Sequence, residues 1–255
     1  TKLKDEKIPC FIIAGSHDYS VSGKTFLDVL EKAGFCKNVY NAEERNTEEI
    51  LLLPTIHENI AIYGYPGKRS GLEIPELRKI RLQECPGYFK IFMLHSVITG
   101  AKGSLPIDSI DESNLPEADY YALGHLHIDY SNDKFVYAGP VFPNNFEELE
   151  ELKYGGFYIV SVDNFSLSYK KIQIKLKDVL PLCVEINDAL TAHEKIIAEL
   201  NKHEIKDKIL LLRIEGKLRR GKTSDIKFSE IENFVKEKAF ALLKNTSGIK
   251  TEETE

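Results

Sequence analysis

The chain has 255 residues, of which 42% are hydrophobic and 29% are charged, and its formal net charge at pH 7 is -6. No apolar run approaches the ~20 residues that a transmembrane helix requires, so a membrane protein is not predicted. The acidic net charge gives no overall sign of nucleic-acid binding, so such binding would have to come from a local basic segment or from metal ions.

The amino-terminal residues and the cysteines indicate a cytoplasmic protein. The charged start TKLKDEK is followed by only seven mostly apolar residues, which is not the pattern of a signal peptide. The four cysteines occur singly, without a C-x-x-C pair, and are interpreted as reduced thiols rather than as a zinc finger or a disulfide framework. They are Cys10, Cys36, Cys85 and Cys183.

The first predicted elements are a buried strand and a helix. Residues 8–14 are a short β-branched and aromatic run closed by Gly15. A helix is predicted from Val21 to Ala33, with Ser22 as its cap and Gly34 at its end. A further helix is predicted at Pro75–Leu82, and short strands at Ile50–Leu53, Ile60–Tyr63, Lys90–Leu94, Tyr120–Leu123, Phe135–Tyr137, Gly156–Val162 and Leu167–Ile174.

The pattern changes after about Lys175, which indicates a second, smaller α+β domain. Strands are predicted at Leu180–Ile186 and Lys208–Glu215, and helices at Ala189–His203 and Ser229–Leu243, the latter capped by Ser229. The polar residues from Asn245 to Glu255 are predicted to be frayed. The predicted domains are therefore residues 1–175, residues 176–245 and a flexible tail at 246–255.

Four of the seven histidines lie at or just after the ends of predicted strands; they are His17, His95, His125 and His127. Since residues i and i+2 of an extended segment point to the same side, the imidazoles of His125 and His127 would face one point, while Leu126 points into the core. Imidazole is a borderline ligand for zinc, manganese, iron and nickel. The sequence therefore predicts a metal site at one edge of a sheet.

The motifs GSHD at 15–18, LHS at 94–96 and GHLH at 124–127 resemble, in this order, those of the calcineurin-like metallophosphoesterases. The segments YYALGHLH, VYAGPVFPNNFEE and GGFYIV more closely resemble the Mre-eleven and SbcD nucleases, which process DNA ends in double-strand-break repair. The resemblance covers roughly residues 8–175, and matches the family's capping domain more loosely over 176–245. It implies an α/β metallophosphoesterase sandwich, with β-sheets flanked by helices and a small α+β capping domain.

The resemblance also implies a two-metal manganese centre. His95 and His125 would be ligands of one ion, and His127 a ligand of the other. Ser16 stands where the family has a metal-binding Asn, and its shorter hydroxyl is a poorer ligand. A phosphodiester is anionic and repels hydroxide, so its hydrolysis needs cations that neutralise its oxygens.

The catalytic residues that the resemblance implies are His17 and Asp18. His17 would donate a proton to the leaving sugar oxygen or stabilise charge on the phosphate, and Asp18 would orient His17. The family's earlier D-x-H and G-D motifs are not found in the sequence. The nuclease domain is therefore expected to be amino-terminally incomplete by about 70 residues or more, which leaves the activity of this chain alone open.

A basic segment lies between the last predicted strand and helix, at Gly216–Asp225. It is either a solvated loop or a loop that grips DNA phosphates without reading sequence. The basic residues predicted to bind DNA are Lys217, Arg219, Arg220 and Lys222. By family analogy the partners are DNA, a Rad-fifty or SbcC-type ATPase and a second copy of the chain.

Three functions stay open at this point. The first is a manganese-dependent DNA nuclease that processes ends in double-strand-break repair. The second is a calcineurin-like phosphoesterase for nucleotides or phosphoproteins. The third is a catalytically weakened DNA-binding scaffold of a repair complex, suggested by the missing motifs and by Ser16.

Overall fold

The computed structural model describes residues 2–19, 25–46, 48–68 and 74–251. The chain forms two compact units, Thr1–Pro140 with Phe157–Ile172, and Val141–Gly156 with Gln173–Glu255. The second unit thus includes residues 141–156, which the sequence analysis assigned to the first domain. Within the described ranges, none of the helices has both the length and the apolar character needed to span a bilayer.

The first unit contains both helices and strands. Its last two strands, β12 and β13, form a two-stranded sheet whose residues lie mostly in this unit. The elements in chain order are α1 (Lys2–Asp5), β1 (Phe11–Ile12), α2 (Phe26–Lys32), β2 (Lys37–Asn38), β3 (Ala42–Asn46), β4 (Glu49–Leu52), β5 (Thr55–His57), β6 (Ile60–Tyr65), α3 (Ile74–Leu77), β7 (Ile80–Leu82), β8 (Phe89–His95), β9 (Tyr120–Gly124), β10 (Tyr130–Asn132), β11 (Phe135–Tyr137), β12 (Gly155–Asp163) and β13 (Ser166–Ile174).

The largest sheet among the described residues has six strands, in the order β10-β11-β9-β8-β6-β5. Its four inner strands β11, β9, β8 and β6 are parallel, and its two edge strands are antiparallel to their neighbours. Tyr63, Phe92 and Tyr137 on these strands are fully buried in one core. Because the strands are parallel, their carboxyl ends lie along one edge, where loops can bring polar residues together.

The structure confirms the seven short strands predicted between residues 50 and 174, within two residues at each end. The predicted helix at Pro75–Leu82 is wrong in its second half, because Ile80–Leu82 forms β7, parallel to β4. The predicted strand at 8–14 is shorter, since only Phe11–Ile12 pairs with β2. The helix predicted from Val21 is α2, Phe26–Lys32; its proposed cap, Ser22, lies outside the described residues.

The second unit is a parallel three-stranded sheet with helices on both faces. Side chains of its central strand alternate between two cores: Leu210 and Leu212 pack with two of the helices, whereas Ile209 and Leu211 pack with Leu149 of the third. The apolar run of this strand is thereby explained, since both faces are buried. The elements are α4 (Phe146–Leu152), β14 (Val179–Glu185), α5 (Ala192–Leu200), β15 (Ile209–Leu218), α6 (Phe228–Val235) and β16 (Ala241–Thr251), with β15 between the other two strands.

Two predictions for this unit are wrong. The helix predicted at Ser229–Leu243 ends at Val235, and Ser229 lies inside it rather than at its cap. The tail predicted to be flexible instead continues β16 as far as Thr251, in parallel register with β15. Leu242 and Leu243 fit a helical pattern, but their backbone pairs with β15 in the sheet. Their side chains are partly buried.

Candidate functional site

The candidate site lies at the carboxyl edge of the six-stranded sheet. β8 ends at His95 directly beside Gly124, the last residue of β9. Beyond β6, the Gly67 N–H donates to Ala14 O at 3.0 Å, which fixes the segment that leads into the GSHD loop. The ends of β8 and β9 and the segment that leads into the GSHD loop therefore lie at this edge.

Three glycines allow this approach around the His95 imidazole. A Cβ on Gly67 would lie 2.3 Å from His95 Cδ2, and one on Gly15 would lie 2.9 Å from His95 Cε1. A Cβ on Gly124 would lie 3.1 Å from His95 Nδ1. The backbone at these positions is packed against the ring, which leaves little or no room for a side chain.

Sequence reasoning missed Gly67. The available signal was its place in the segment YGYPG, two residues beyond the end of a buried parallel strand. A glycine at a strand end indicates close backbone approach only when the neighbouring strand is known, and that neighbour is β8.

His95 and His125 are in direct contact, as the resemblance implied for two ligands of one ion. His125 Nδ1 lies 3.3 Å from His95 Nε2, and the two rings are perpendicular with centroids 5.1 Å apart. His125 has a φ of 96°, a conformation that costs free energy in a residue with a side chain. Such strain is typical of functional sites, and here it accompanies an imidazole held against His95.

The pKa of His95 is lowered from 6.5 to about 4, first by burial and then by the positive charge that His125 would carry. His127 and His17 also lower this pKa, whereas Asp18 raises it, so all four groups are close enough to act on His95 electrostatically. His95 is therefore neutral near pH 7, with a nitrogen lone pair that can bind a cation.

Other details differ from the expected arrangement. Asp18 Oδ2 accepts the Gly15 N–H at 2.7 Å, and no hydrogen bond joins Asp18 to His17 in the part of the chain that the structure describes. β9 ends at Gly124, and His125 and Leu126 form a bend, so His125 and His127 do not lie on an extended segment. Leu126 is buried as predicted. Ser16 contacts the site through its backbone, whose N–H lies 3.4 Å from His95 Nε2.

The donor set fits the histidine part of a metal centre. Two nitrogens 3.3 Å apart can belong to one ion, because metal–nitrogen bonds are about 2.0–2.1 Å long. Imidazoles alone suit zinc, iron or nickel, whereas manganese also requires oxygen ligands. Among the residues that the structure describes, however, no three His, Cys, Asp or Glu side chains form a group able to hold a metal.

The predicted DNA-binding residues lie in the second unit, at and after the end of β15. Lys217, Arg219 and Lys222 are exposed. Arg220 Nη1 lies 3.5 Å from Asp188 Oδ2, and its side chain is 68% exposed. Lys250, which sequence reasoning placed in the flexible tail, pairs in register with Lys217 and adds an exposed cation beside this segment.

No family model matches the chain. It is 27% identical over 211 residues to the DNA double-strand break repair protein Mre11 of Methanocaldococcus jannaschii, covering 76% of the chain and 53% of that protein. It is 27% identical over 230 residues to the Mre11 protein of Sulfolobus acidocaldarius, covering 84% and 56%.

A third relative, the Mre11 protein of Methanopyrus kandleri, is 23% identical over 193 residues, covering 69% of the chain and 42% of that protein. The chain thus spans about half the length of the curated relatives that it matches. These matches confirm the resemblance found in the sequence motifs and the fold class that it implied.

Proposed function

We propose that this chain, a distant relative of archaeal Mre11 proteins with a calcineurin-like metallophosphoesterase fold, acts in DNA double-strand-break repair as a nuclease that hydrolyses phosphodiester bonds. The observation that carries the proposal is the contact between His95 and His125 at one sheet edge, with His17 and His127 close enough to act on His95 electrostatically. Side chains gathered from separate loops at the end of parallel strands are typical of an active site.

Manganese is the proposed cofactor. His95 and His125 would hold one ion and His127 a second, and Ser16 would be a weak ligand at most. Oxygen ligands other than the side chains named here would complete the centre. Bound manganese would supply Lewis-acid stabilisation of the charge that develops on the phosphate. The burial that lowers the pKa of His95 keeps its lone pair available without competition from protons at neutral pH.

His17 is the proposed proton donor to the leaving sugar oxygen. Its exposed position in the GSHD loop lets it reach a bound substrate, and it lies close enough to affect the pKa of His95. The Asp18 carboxylate accepts a hydrogen bond from the Gly15 N–H, so the first role of Asp18 is to fix the conformation of this loop. In the proposal Asp18 positions His17 through the loop backbone.

DNA is the proposed substrate, and the exposed basic residues of the second unit are its proposed phosphate contacts. Contacts of this kind carry no sequence information, which suits an enzyme that acts on any DNA end. A Rad-fifty type ATPase and a second copy of the chain are the proposed partners, by analogy with the Mre11 relatives.

The test is cleavage of end-labelled duplex DNA by the purified chain with manganese. His17→Ala should lower the rate by about 10²-fold or more, the usual contribution of a general acid. The variant should keep its manganese affinity, measured by calorimetry. His203→Ala is the matched control, because this exposed histidine lies in the second unit, where its Nε2 is 3.3 Å from Glu199 Oε1. Equal cleavage by both variants and the unaltered chain would contradict the assignment of His17.

A DNA-binding scaffold is the second candidate, favoured by the lack of a three-ligand group among the described residues. It predicts binding of duplex DNA by a chain that contains no manganese. Two manganese ions per chain in elemental analysis would exclude it. The remaining alternative, a calcineurin-like phosphoesterase for nucleotides or phosphoproteins, is tested with a small aryl phosphodiester. A general phosphoesterase would cleave that compound faster than DNA ends.

A further inference from the structure

Two of the four cysteines, Cys10 and Cys36, directly precede two paired strands. β1 and β2 are parallel, with Phe11 opposite Lys37, and Lys37 N–H donates to Cys10 O at 2.8 Å. Cys10 and Cys36 each precede one member of that pair by one residue. They therefore occupy the next position of the same register, and their side chains point to the same face.

The spacing at this position suits a disulfide. Adjacent strands lie about 4.7–4.9 Å apart, within the ~4.4–6.8 Å between Cα atoms that disulfides span. All four cysteines are free in the structure, and both members of this pair are half-buried. Neither Cys85 nor Cys183 lies on these two strands.

A pocket beside the pair gives a small reagent access to it. The pocket has a volume of about 300 Å³ and is lined by both cysteines and by three lysines, Lys4, Lys7 and Lys37. The Lys4 ammonium is fixed at its rim by a 3.0 Å hydrogen bond to Ala33 O. Lys37 Nζ pairs with Glu31 Oε1 at 3.0 Å, so the excess positive charge beside the two thiols comes from Lys4 and Lys7. This charge suits an anionic disulfide such as glutathione disulfide.

We propose that Cys10 and Cys36 form a reversible dithiol–disulfide site, oxidised by a small anionic disulfide. One thiolate attacks the reagent, forms a mixed disulfide and releases one reagent thiol; the second cysteine then attacks the mixed disulfide and releases the other. The two cysteines lose two protons and two electrons, and the reagent gains them as two thiols.

Both thiols are free in the structure. Burial, then the neighbouring Cys10 and then Glu31 raise the pKa of the Cys36 thiol above its usual value, which makes Cys36 a slower attacking thiol. Oxidation would close a covalent loop from residue 10 to residue 36, and that loop contains the GSHD segment at 15–18. The bridge would thus restrain the strand that leads to His17 where only two residues of β1 pair with β2.

The site is tested by treating the full chain with glutathione disulfide and mapping it, without reduction, by trypsin and mass spectrometry. Trypsin places the two cysteines in separate peptides, 8–24 and 33–37. The expected result is a peptide that links them, with a protein mass lower by about 2 Da that dithiothreitol restores. Glutathione adducts on Cys10 or Cys36 without a link would overturn the proposal.

A variant that keeps only Cys10 and Cys36 distinguishes their disulfide from random oxidation of other cysteines. Cys85→Ser with Cys183→Ser should still form the link and should unfold several degrees higher when oxidised than when reduced. Cys36→Ser in the same background should give neither the link nor the shift. A link from Cys10 to Cys85 in the unaltered chain, or an unchanged unfolding temperature in the oxidised pair variant, would overturn the proposal.

Discussion

His95 has its properties because the residues around it are small. Gly15, Gly67 and Gly124 come from three different loops or strand ends, and each lets the backbone lie against the imidazole. The resulting burial is the largest cause of the lowered pKa of His95. The ligand character of one histidine therefore depends on glycines distant from it in sequence.

Gly67→Ala should disturb the site more than the fold. Its new methyl group would overlap His95 Cδ2 and must displace the ring, at a cost of about 1–3 kcal/mol in the free energy of unfolding. Zinc serves as the probe of the histidines, because it binds well to imidazole without oxygen ligands. The displaced ring should lower zinc affinity by about 10-fold or more, measured by calorimetric titration.

Gly87→Ala is the control for that experiment. Gly87 has a φ of 83° and nothing within 4 Å of an added Cβ, so alanine there is strained without touching the site. This variant should lose stability but keep its zinc affinity. Equal zinc affinities of the Gly67 variant and the unaltered chain would contradict the proposed role of the glycine.

The lowered pKa of His95 should make the stability of the metal-free chain depend on pH. As the pH falls from about 6.5 to about 4, the unfolded chain gains a proton at His95 that the folded chain does not. The free energy of unfolding should therefore fall in this range, and less steeply in His95→Gln. Urea denaturation at several pH values measures both slopes, and identical slopes would show that His95 titrates normally when folded.

At the scale of elements, β16 is the largest difference from the sequence-based expectation. Residues 241–251 contain the polar segment KNTSG, which suggests a loop, yet they pair with β15 along most of its length. Gly248 packs closely on this partner, since a Cβ there would lie 2.8 Å from that of Glu215. The strand is defined by its neighbour rather than by its own composition.

Removal of the end of β16 should destabilise the chain. A chain that ends at Asn245 loses the paired residues from Gly248 to Thr251, and its thermal unfolding midpoint should fall by several degrees. A chain that ends at Thr251 keeps every described pair of β16 and should unfold like the full chain. If both truncated chains unfold alike, the end of β16 contributes nothing to stability.

At the scale of the whole molecule, a net charge of -6 coexists with a local group of exposed cations on the second unit. Attraction of DNA must come from such a local group of cations or from bound metal ions, because the net charge is repulsive. Lys250 joins this group only through the β15–β16 register.

Neutralisation of Arg219 and Lys222 should weaken DNA binding in a salt-dependent way. If both contact phosphates, Arg219→Gln with Lys222→Gln should reduce the slope of log K against log salt by about 1.8. Lys195→Gln with Lys236→Gln removes the same charge from exposed positions elsewhere in the unit and should leave the slope unchanged. Fluorescence anisotropy at several salt concentrations measures each slope; equal slopes for the two variants would exclude the basic segment as a phosphate contact.

The sequence by itself determined the four inner strands of the six-stranded sheet and the histidines that follow two of them, whereas its edge strands β5 and β10 were not predicted. Strands such as β8 and β9 are short apolar runs bounded by polar residues, and this local pattern is enough to identify them. Parallel pairing then requires the histidines that follow such strands to share an edge. The approach of His95 to His125 was predictable for that reason.

Only the tertiary structure decided the remaining features. The second half of the helix predicted at 75–82 and the end of the one predicted at 229–243 became strands, because a neighbouring strand offers backbone hydrogen bonds that periodicity does not reveal. Contacts between distant segments likewise decide the burial of His95 and the packing of Gly67 against its ring. They also place Lys250 beside Lys217 and Cys10 beside Cys36. Such contacts are set by the register of strands, which residue type and local spacing leave undetermined.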